Sequence, residues 1–255
     1  MLDPQRVYVY ARRMTSVSAL PTTRTPAAGE VTGPPVVLIH GFASTGTTDW
    51  PAERWAAPLS AAGRETIVVH LPGHGGGPAV GSPDEVTTAH LLQRIAAGIG
   101  VDGEVDLVGY SLGARLSWDL AAVIPVRKLV LGGISPMEPF AAVDVAAARA
   151  ALQGGPQPED MLTGMITGMA SAPGQDGASL LNVVEGLARE PFNPGAGAPQ
   201  VPALFLAGQE DPMSQGIDHL VTLVPGATLV RVPGDHFGAL GGDALRSEVF
   251  AFLGV

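Results

Sequence analysis

The stretch Val105-Asp106-Leu107-Val108-Gly109-Tyr110-Ser111-Leu112-Gly113-Ala114-Arg115 decides the fold. Its first residues, Val105 to Val108, form a short, mostly apolar run that ends on a glycine, as a buried strand does. Leu112 to Ile124 then has the spacing of an amphipathic helix. Strand, sharp turn and helix together are the context in which G-x-S-x-G carries an activated serine. The flanking glycines relieve the crowding that side chains would cause in so tight a turn. The serine hydroxyl is then presented at a helix N-terminus, where backbone N–H groups lack partners. An ordinary turn with serine as a cap has the same pattern, so the rest of the chain must decide.

Outward from this stretch the chain alternates. Apolar runs at Val36–Ile39, Thr66–Val69, Lys128–Leu131, Ala203–Leu206 and Ala227–Val232 each end in Gly- or Pro-rich turns. Between them, Glu53–Ala62, Pro83–Ile99, Ser214–Leu223 and Asp243–Leu253 read as helices. Alternating strand and helix signals imply an α/β fold with a mostly parallel, doubly wound sheet. In such sheets ligands bind beyond the carboxyl ends of the strands. Residues 135–200 break the rhythm with helical pieces at Val143–Leu152, Glu159–Ala170 and Ala178–Arg189. They divide the chain into a core of 1–134 and 201–255 and a helical cap or lid of 135–200. From Met14 to Pro35 the chain is rich in Thr, Pro and Ala and reads as an irregular arm.

Three further strand ends supply partners for Ser111. His40-Gly41-Phe42-Ala43 follows the first strand. Acyl transfer needs donors aimed at an oxyanion, and the N–H groups of Phe42 and Leu112 are the candidates. His40 reads as a brace for this loop, because the base follows the acid in this architecture. Gly208-Gln209-Glu210-Asp211-Pro212 offers Asp211 as the acid, with Glu210 as its competitor. Pro233-Gly234-Asp235-His236 offers His236 as the base, whereas His219 falls inside a helix. The order Ser, Asp, His is one of three known triad orders and fits a doubly wound sheet. His74, in Leu71-Pro72-Gly73-His74-Gly75, reads as a loop brace.

Together these residues resemble the α/β-hydrolase superfamily from about Val31 to the C-terminus, the insertion excepted. His40-Gly41-Phe42 with Trp50, Leu71 to Gly75, and Leu107 to Arg115 resemble one branch of it unusually well. That branch is the menaquinone-pathway synthases, which eliminate pyruvate to form succinyl-hydroxycyclohexadiene-carboxylate. The resemblance implies a serine-histidine-aspartate triad and places Arg115 where that branch binds a substrate carboxylate, with Tyr110 beside the substrate. The insertion departs from the pattern: only Arg149 and Arg189 are basic there. A polyanionic substrate needs several arginine forks. Met161, Met165 and Met169 recur every four residues, a stripe that reads first as packing. The reading with most support is therefore a carboxylesterase for a small or medium acyl or aryl ester. A lyase and a catalytically idle ligand-binding homologue are the alternatives.

Composition excludes other classes. The 255 residues carry 24 acids against 14 bases, a formal charge of −10, and Lys128 is the only lysine. No basic face for nucleic acid is available. Without cysteine there are no disulfides or thiolate ligands. No metal-ligand spacing and no dinucleotide fingerprint occurs, so no cofactor or metal is expected. Arg6, Arg12 and Arg13 lack the apolar run of a signal peptide behind them. A cytoplasmic protein with a small-molecule substrate, no membrane partner and an open oligomeric state is expected.

Overall fold

In the computed structural model, residues 17–255 are described, so Arg6, Arg12, Arg13 and the start of the Met14–Pro35 arm lie outside them. The strands are β1 (Thr22–Thr25), β2 (Val36–Ile39), β3 (Thr66–Val69), β4 (Val105–Tyr110), β5 (Val126–Gly132), β6 (Ala203–Gly208) and β7 (Thr228–Val232). The helices are α1 (Gly46–Asp49), α2 (Ala56–Ala61), α3 (Thr88–Ile99), α4 (Leu112–Leu120), α5 (Val145–Leu152), α6 (Met161–Ala170), α7 (Gly177–Arg189), α8 (Ile217–Leu223), α9 (His236–Gly241) and α10 (Asp243–Leu253).

The strands form one sheet in the order β1-β3-β2-β4-β5-β6-β7. All neighbours are parallel except β1, which runs antiparallel to β3. This is the doubly wound sheet expected. The edge strand corrects the reading of Met14–Pro35 as wholly irregular. Thr22-Thr23-Arg24-Thr25 has no apolar alternation because neither face is fully buried, so period-2 patterning had nothing to report.

Alternate residues of the inner strands enter two apolar layers. Val37, Ile39, Leu107, Leu129, Leu131 and Phe205 join the layer under α3, α4 and the insertion. Val36, Leu38, Val108, Val130, Leu204 and Leu206 join the layer under α2 and α10. The insertion between β5 and β6 contributes α5, α6 and α7 and no strand. Caps bound its helices: Asp144, Asp160 and Asp176 each accept from a backbone N–H in the first turn, which is why these starts fall within two residues of those read from sequence.

The chain leaves β2 for β3 on one side and returns to β4 on the other. The winding therefore reverses between β2 and β4, where α/β sheets open a crevice. Glycines close that crevice tightly. A side chain on Gly113 would collide with the Ile39 and His40 carbonyl oxygens, and one on Gly109 with the Gly113 carbonyl. We expect Gly113→Ala to lower the free energy of urea unfolding by about 2 kcal/mol or more, since overpacking of this kind costs about 1–3 kcal/mol and here the obstacle is backbone.

Candidate active site

Ser111 sits at the carboxyl end of β4 with φ 54° and ψ −117°. Only it and Ala43 (φ 53°) have positive φ among the described non-glycine residues. Such backbone costs about 1–3 kcal/mol and persists only where its surroundings hold it. The Ser111 N–H donates to Gly132 O at 2.8 Å, and its carbonyl accepts from Arg115 N–H at 3.0 Å. The turn is thus tied to β5 on one side and to α4 on the other.

Asp211 and His236 meet across the ends of β6 and β7. His236 Nδ1 lies 2.8 Å from Asp211 Oδ2. Asp211 also accepts from Ser214 Oγ at 2.7 Å and from Met213 N–H at 2.8 Å. Burial pushes its carboxyl upward, but the hydrogen bonds from His236, Ser214 and Met213, with the His236 charge, outweigh it and hold it below the ordinary range. An ionised Asp211 only accepts, so Nδ1 carries a proton, and in the neutral ring the lone pair is on Nε2. Glu210 is exposed, as is Asp235, whose carboxylate caps α9 through Gly238 N–H. His219 is exposed on α8.

Tyr110, expected beside the substrate, is buried, and its hydroxyl donates to His236 O at 2.6 Å. Its ring packs 5.3 Å from the imidazole. It braces His236 from below and reaches only the second of two cavities. Ser111 and His236 line both cavities. The serine hydroxyl is not hydrogen-bonded to the ring among the described residues, a looseness common where no substrate is bound.

The loop after β2 faces Ser111. The His40 ring is buried, with Nδ1 2.9 Å from Gly41 O, and its Nε2 accepts from Leu71 N–H at 3.1 Å. This fixes the Nδ1–H tautomer. Burial lowers its pKa to about 4, with the Gly41 carbonyl opposing and His70 adding to the fall. The His74 ring meets those of His40 and Phe42 edge to face, and its Nδ1 donates to Pro72 O at 2.9 Å. Burial, then the charge of His40, lowers His74 to about 3. Both are loop braces, as their positions implied. The N–H groups of Phe42 and Leu112 have no protein partner among the described residues.

One cavity, of about 270 Å³, runs beneath the insertion and is lined mainly by apolar side chains, among them Leu162, Met165, Ile166 and Met169. The other, of about 370 Å³, opens past Ser44, Thr48, Asp49 and Arg54. The methionine stripe is not packing throughout: Met161 is 90% exposed, Met165 is 43% exposed at the cavity mouth, and only Met169 packs on the core.

Arg115 also differs from expectation. Although it borders the apolar cavity, its Nε donates to Glu138 Oε2 at 2.9 Å and its Nη2 to Thr88 Oγ1 and Glu190 O at 2.8 and 3.0 Å. Only the buried Nη1 is left without a partner. Glu138 in turn accepts from Phe140 and Phe192 N–H. The guanidinium therefore clasps both ends of the insertion to the core. Arg149 and Arg189 are engaged by Glu185, away from the cavities. The sequence left two participants unseen, Asp49 and Glu138, because each meets its partners only after folding.

This is an α/β-hydrolase architecture with Ser111, the candidate nucleophile, at a reversal of winding. Residues 34–166, more than half of the chain, match the family model of the alpha/beta hydrolase fold, and the chain belongs to that family. It is 36% identical over 105 residues to the pimeloyl-[acyl-carrier protein] methyl ester esterase of Aromatoleum aromaticum, a match spanning 40% of this chain and 38% of that protein. It is 28% identical over 251 residues to the polyketide synthase ThaQ of Burkholderia thailandensis, covering 87% of this chain and 12% of the synthase. The chain thus spans well under two thirds of either relative. Among solved structures, MenH from S. aureus superposes with a TM-score of 0.70 at 20% identity, covering 92% of this chain and 98% of that one. No helix among the described residues is long and apolar enough to cross a membrane.

The buried histidines set an acid limit. Unfolding returns His40 and His74 to a pKa near the ordinary 6.5, far above their folded values of about 4 and about 3. The stability that depends on their neutral form is fully present above pH 6.5 and drains as pH falls toward those folded values. Urea unfolding between pH 7 and 4.5 should show stability falling by up to about 1.4 kcal/mol per pH unit for each histidine. A flat profile would contradict the neutral assignment.

Proposed function

We propose that the protein is a serine hydrolase that cleaves a carboxylic ester with an uncharged, small or medium acyl or aryl group. The observation that carries this is the Asp211–His236 pair, whose imidazole lines one apolar cavity together with the strained Ser111. His236 Nε2 takes the Ser111 proton as Oγ bonds to the ester carbon. The carbonyl π pair moves onto oxygen, where the N–H groups of Phe42 and Leu112 receive it. Collapse breaks the bond to the alcohol, which leaves with the proton held by His236. Water then repeats the sequence on the acyl-enzyme and frees the acid. Asp211 keeps the imidazole in the required tautomer and stabilises its charged form.

The insertion serves as the lid in this proposal, roofing the acyl group with Leu162, Met165, Ile166 and Met169. The second, more polar cavity is left for the alcohol. The lyase reading keeps its motif resemblance but lacks the anion site it needs, since Arg115 is already bound by Glu138 and Arg149 and Arg189 are turned elsewhere. An idle homologue has no use for strain at Ser111, which costs stability and serves attack. The absence of cysteine suits a reducing cytoplasm, where we place the enzyme.

Fluorophosphonate labelling tests the nucleophile. Ser111→Ala should abolish labelling and reduce ester turnover at least about a thousandfold while leaving the melting temperature near that of the wild type. Labelling that survives in Ser111→Ala would sink the assignment. A p-nitrophenyl ester series tests the substrate class. Each methylene added to the acyl chain should raise kcat/KM by about threefold to fourfold, the worth of about 0.8 kcal/mol per buried CH₂, until the cavity is full. A dicarboxylic half-ester should gain nothing from its charge.

A further inference from the structure

We infer that Asp49 is a positioning residue of this site: its carboxylate holds the loop that carries the Phe42 N–H and so sets the distance of that donor from the reacting oxygen. The inference rests on the serine-hydrolase reading and deepens it. Neither the motifs nor the triad requires an acid at this position.

Asp49 lies at the end of α1 with its side chain buried. One carboxylate oxygen, Oδ2, accepts from Gly41 N–H at 2.7 Å. The other, Oδ1, accepts from the hydroxyl of Ser44. The two contacts fall at residues 41 and 44 and bracket Phe42 and Ala43. His40 Nδ1–H completes the hold by donating to Gly41 O at 2.9 Å. That carbonyl and the Phe42 N–H belong to one trans peptide and point in opposite directions. A carbonyl drawn toward His40 therefore turns the N–H away from the protein interior.

The loop needs such a hold. Ala43 has a left-handed backbone, φ 53°, without being glycine, a strain that relaxes unless it is over-determined. Ser44 on Asp49 anchors one side of it, and Gln175 Nε2, donating to Ala43 O at 2.8 Å, anchors the other. A Cβ built on Gly41 would lie 3.4 Å from Ser111 Cβ and 3.5 Å from Asp49 Oδ2, ordinary van der Waals distances. Gly41 therefore stands beside both the carboxylate and the serine, and a shift of Gly41 moves Phe42 relative to Ser111. Oxyanion donors act within about 2.7–3.1 Å, and about 1 Å of misplacement costs about a hundredfold in rate. Burial pushes the Asp49 carboxyl above its ordinary range, and the hydrogen bonds from Gly41 and Ser44 oppose that. The buried acid is thus an expense for which the loop is the matching use.

Three proteins decide the matter: wild type, Asp49→Ala and Asp49→Asn, each checked by thermal melting. Asp49→Ala should lose about a hundredfold in kcat for a p-nitrophenyl ester with KM within about threefold. Asn presents one oxygen to Gly41 N–H and an amide to Ser44 Oγ, so Asp49→Asn should recover kcat to within about tenfold of wild type. A trifluoromethyl ketone, whose serine adduct places an oxyanion in the same spot, should bind Asp49→Ala weaker in proportion to the lost kcat/KM. A purely structural role would not link that inhibitor to kcat while sparing KM. If Asp49→Ala does not fold, Ser44→Ala removes one of the two contacts and should lower kcat about tenfold. A folded Asp49→Ala with kcat near wild type, a loss confined to KM, or a Ser44→Ala of unchanged kcat overturns the inference. Wild type that labels with fluorophosphonate keeps the hydrolase reading intact in each of those cases. A wild type that neither labels nor turns over overturns both.

Discussion

Backbone against backbone at the end of β4 is the constraint on which the rest depends. Gly109 and Gly113 allow the start of α4 to lie on the ends of β2 and β4, against carbonyl oxygens of residues 39, 40 and 113. Only this closeness makes the turn sharp enough to drive Ser111 to positive φ. The same closeness places the loop of residues 41–44, which leaves β2, directly beside the serine. The candidate nucleophile and candidate oxyanion donors are therefore fixed by main-chain packing in a rigid sheet, and they need no flexible side chain to find each other.

The polar groups around this point are buried in a particular economy. His40 and His74 stay neutral; His40 places both ring nitrogens, and His74 its Nδ1, on main-chain groups. Asp49 and Asp211 are buried acids, yet each oxygen of both accepts a hydrogen bond. Burying a charge is tolerable on those terms and not otherwise. The result is a low-dielectric shell that holds the buried carboxylates of Asp49, on the loop after β2, and Asp211, on His236, and electrostatic stabilisation inside such a shell is stronger than in water.

How much of this was legible depends on distance along the chain. Val36–Ile39 and Ala203–Leu206 announce themselves because strands buried on both faces are uninterrupted apolar runs. The order Ser111, Asp211, His236 was readable because Ser111 and Asp211 each follow such a strand and His236 follows the last, partly exposed one. Local pattern could not separate Glu210 from Asp211, since burial alone does so, and burial is made by Ser214 and His236 closing over one of them. Thr22–Thr25 was invisible because an edge strand with little buried surface carries no periodicity. Asp49, in a Thr-rich loop, looks like a solvated acid until the fold wraps Gly41 and Ser44 around it. Glu138 and Arg115 are 23 positions apart, and nothing in either neighbourhood names the other.

That pair also shapes what the cavity will accept. An unpaired guanidinium at the border of an apolar chamber would invite an anion, at a high cost of burial whenever the site stood empty. Here Glu138 neutralises it, while Thr88 and the Glu190 carbonyl take its remaining reach on one side. The charge is turned from recognition to architecture: it ties residue 138 and residue 190, near the two ends of the insertion, to helices of the core. What remains facing Ser111 from the insertion is mainly hydrocarbon and thioether. Such a chamber discriminates by displacement of water from apolar surface, a graded preference of about 0.8 kcal/mol per methylene. Sharp selection between close analogues needs buried polar groups that a wrong substrate leaves unpaired. On the proposed ester-hydrolase reading, such a chamber makes a generalist toward acyl length, and any sharper selectivity must come from the polar cavity on the opposite side of Ser111, where Thr48, Asp49 and Arg54 stand.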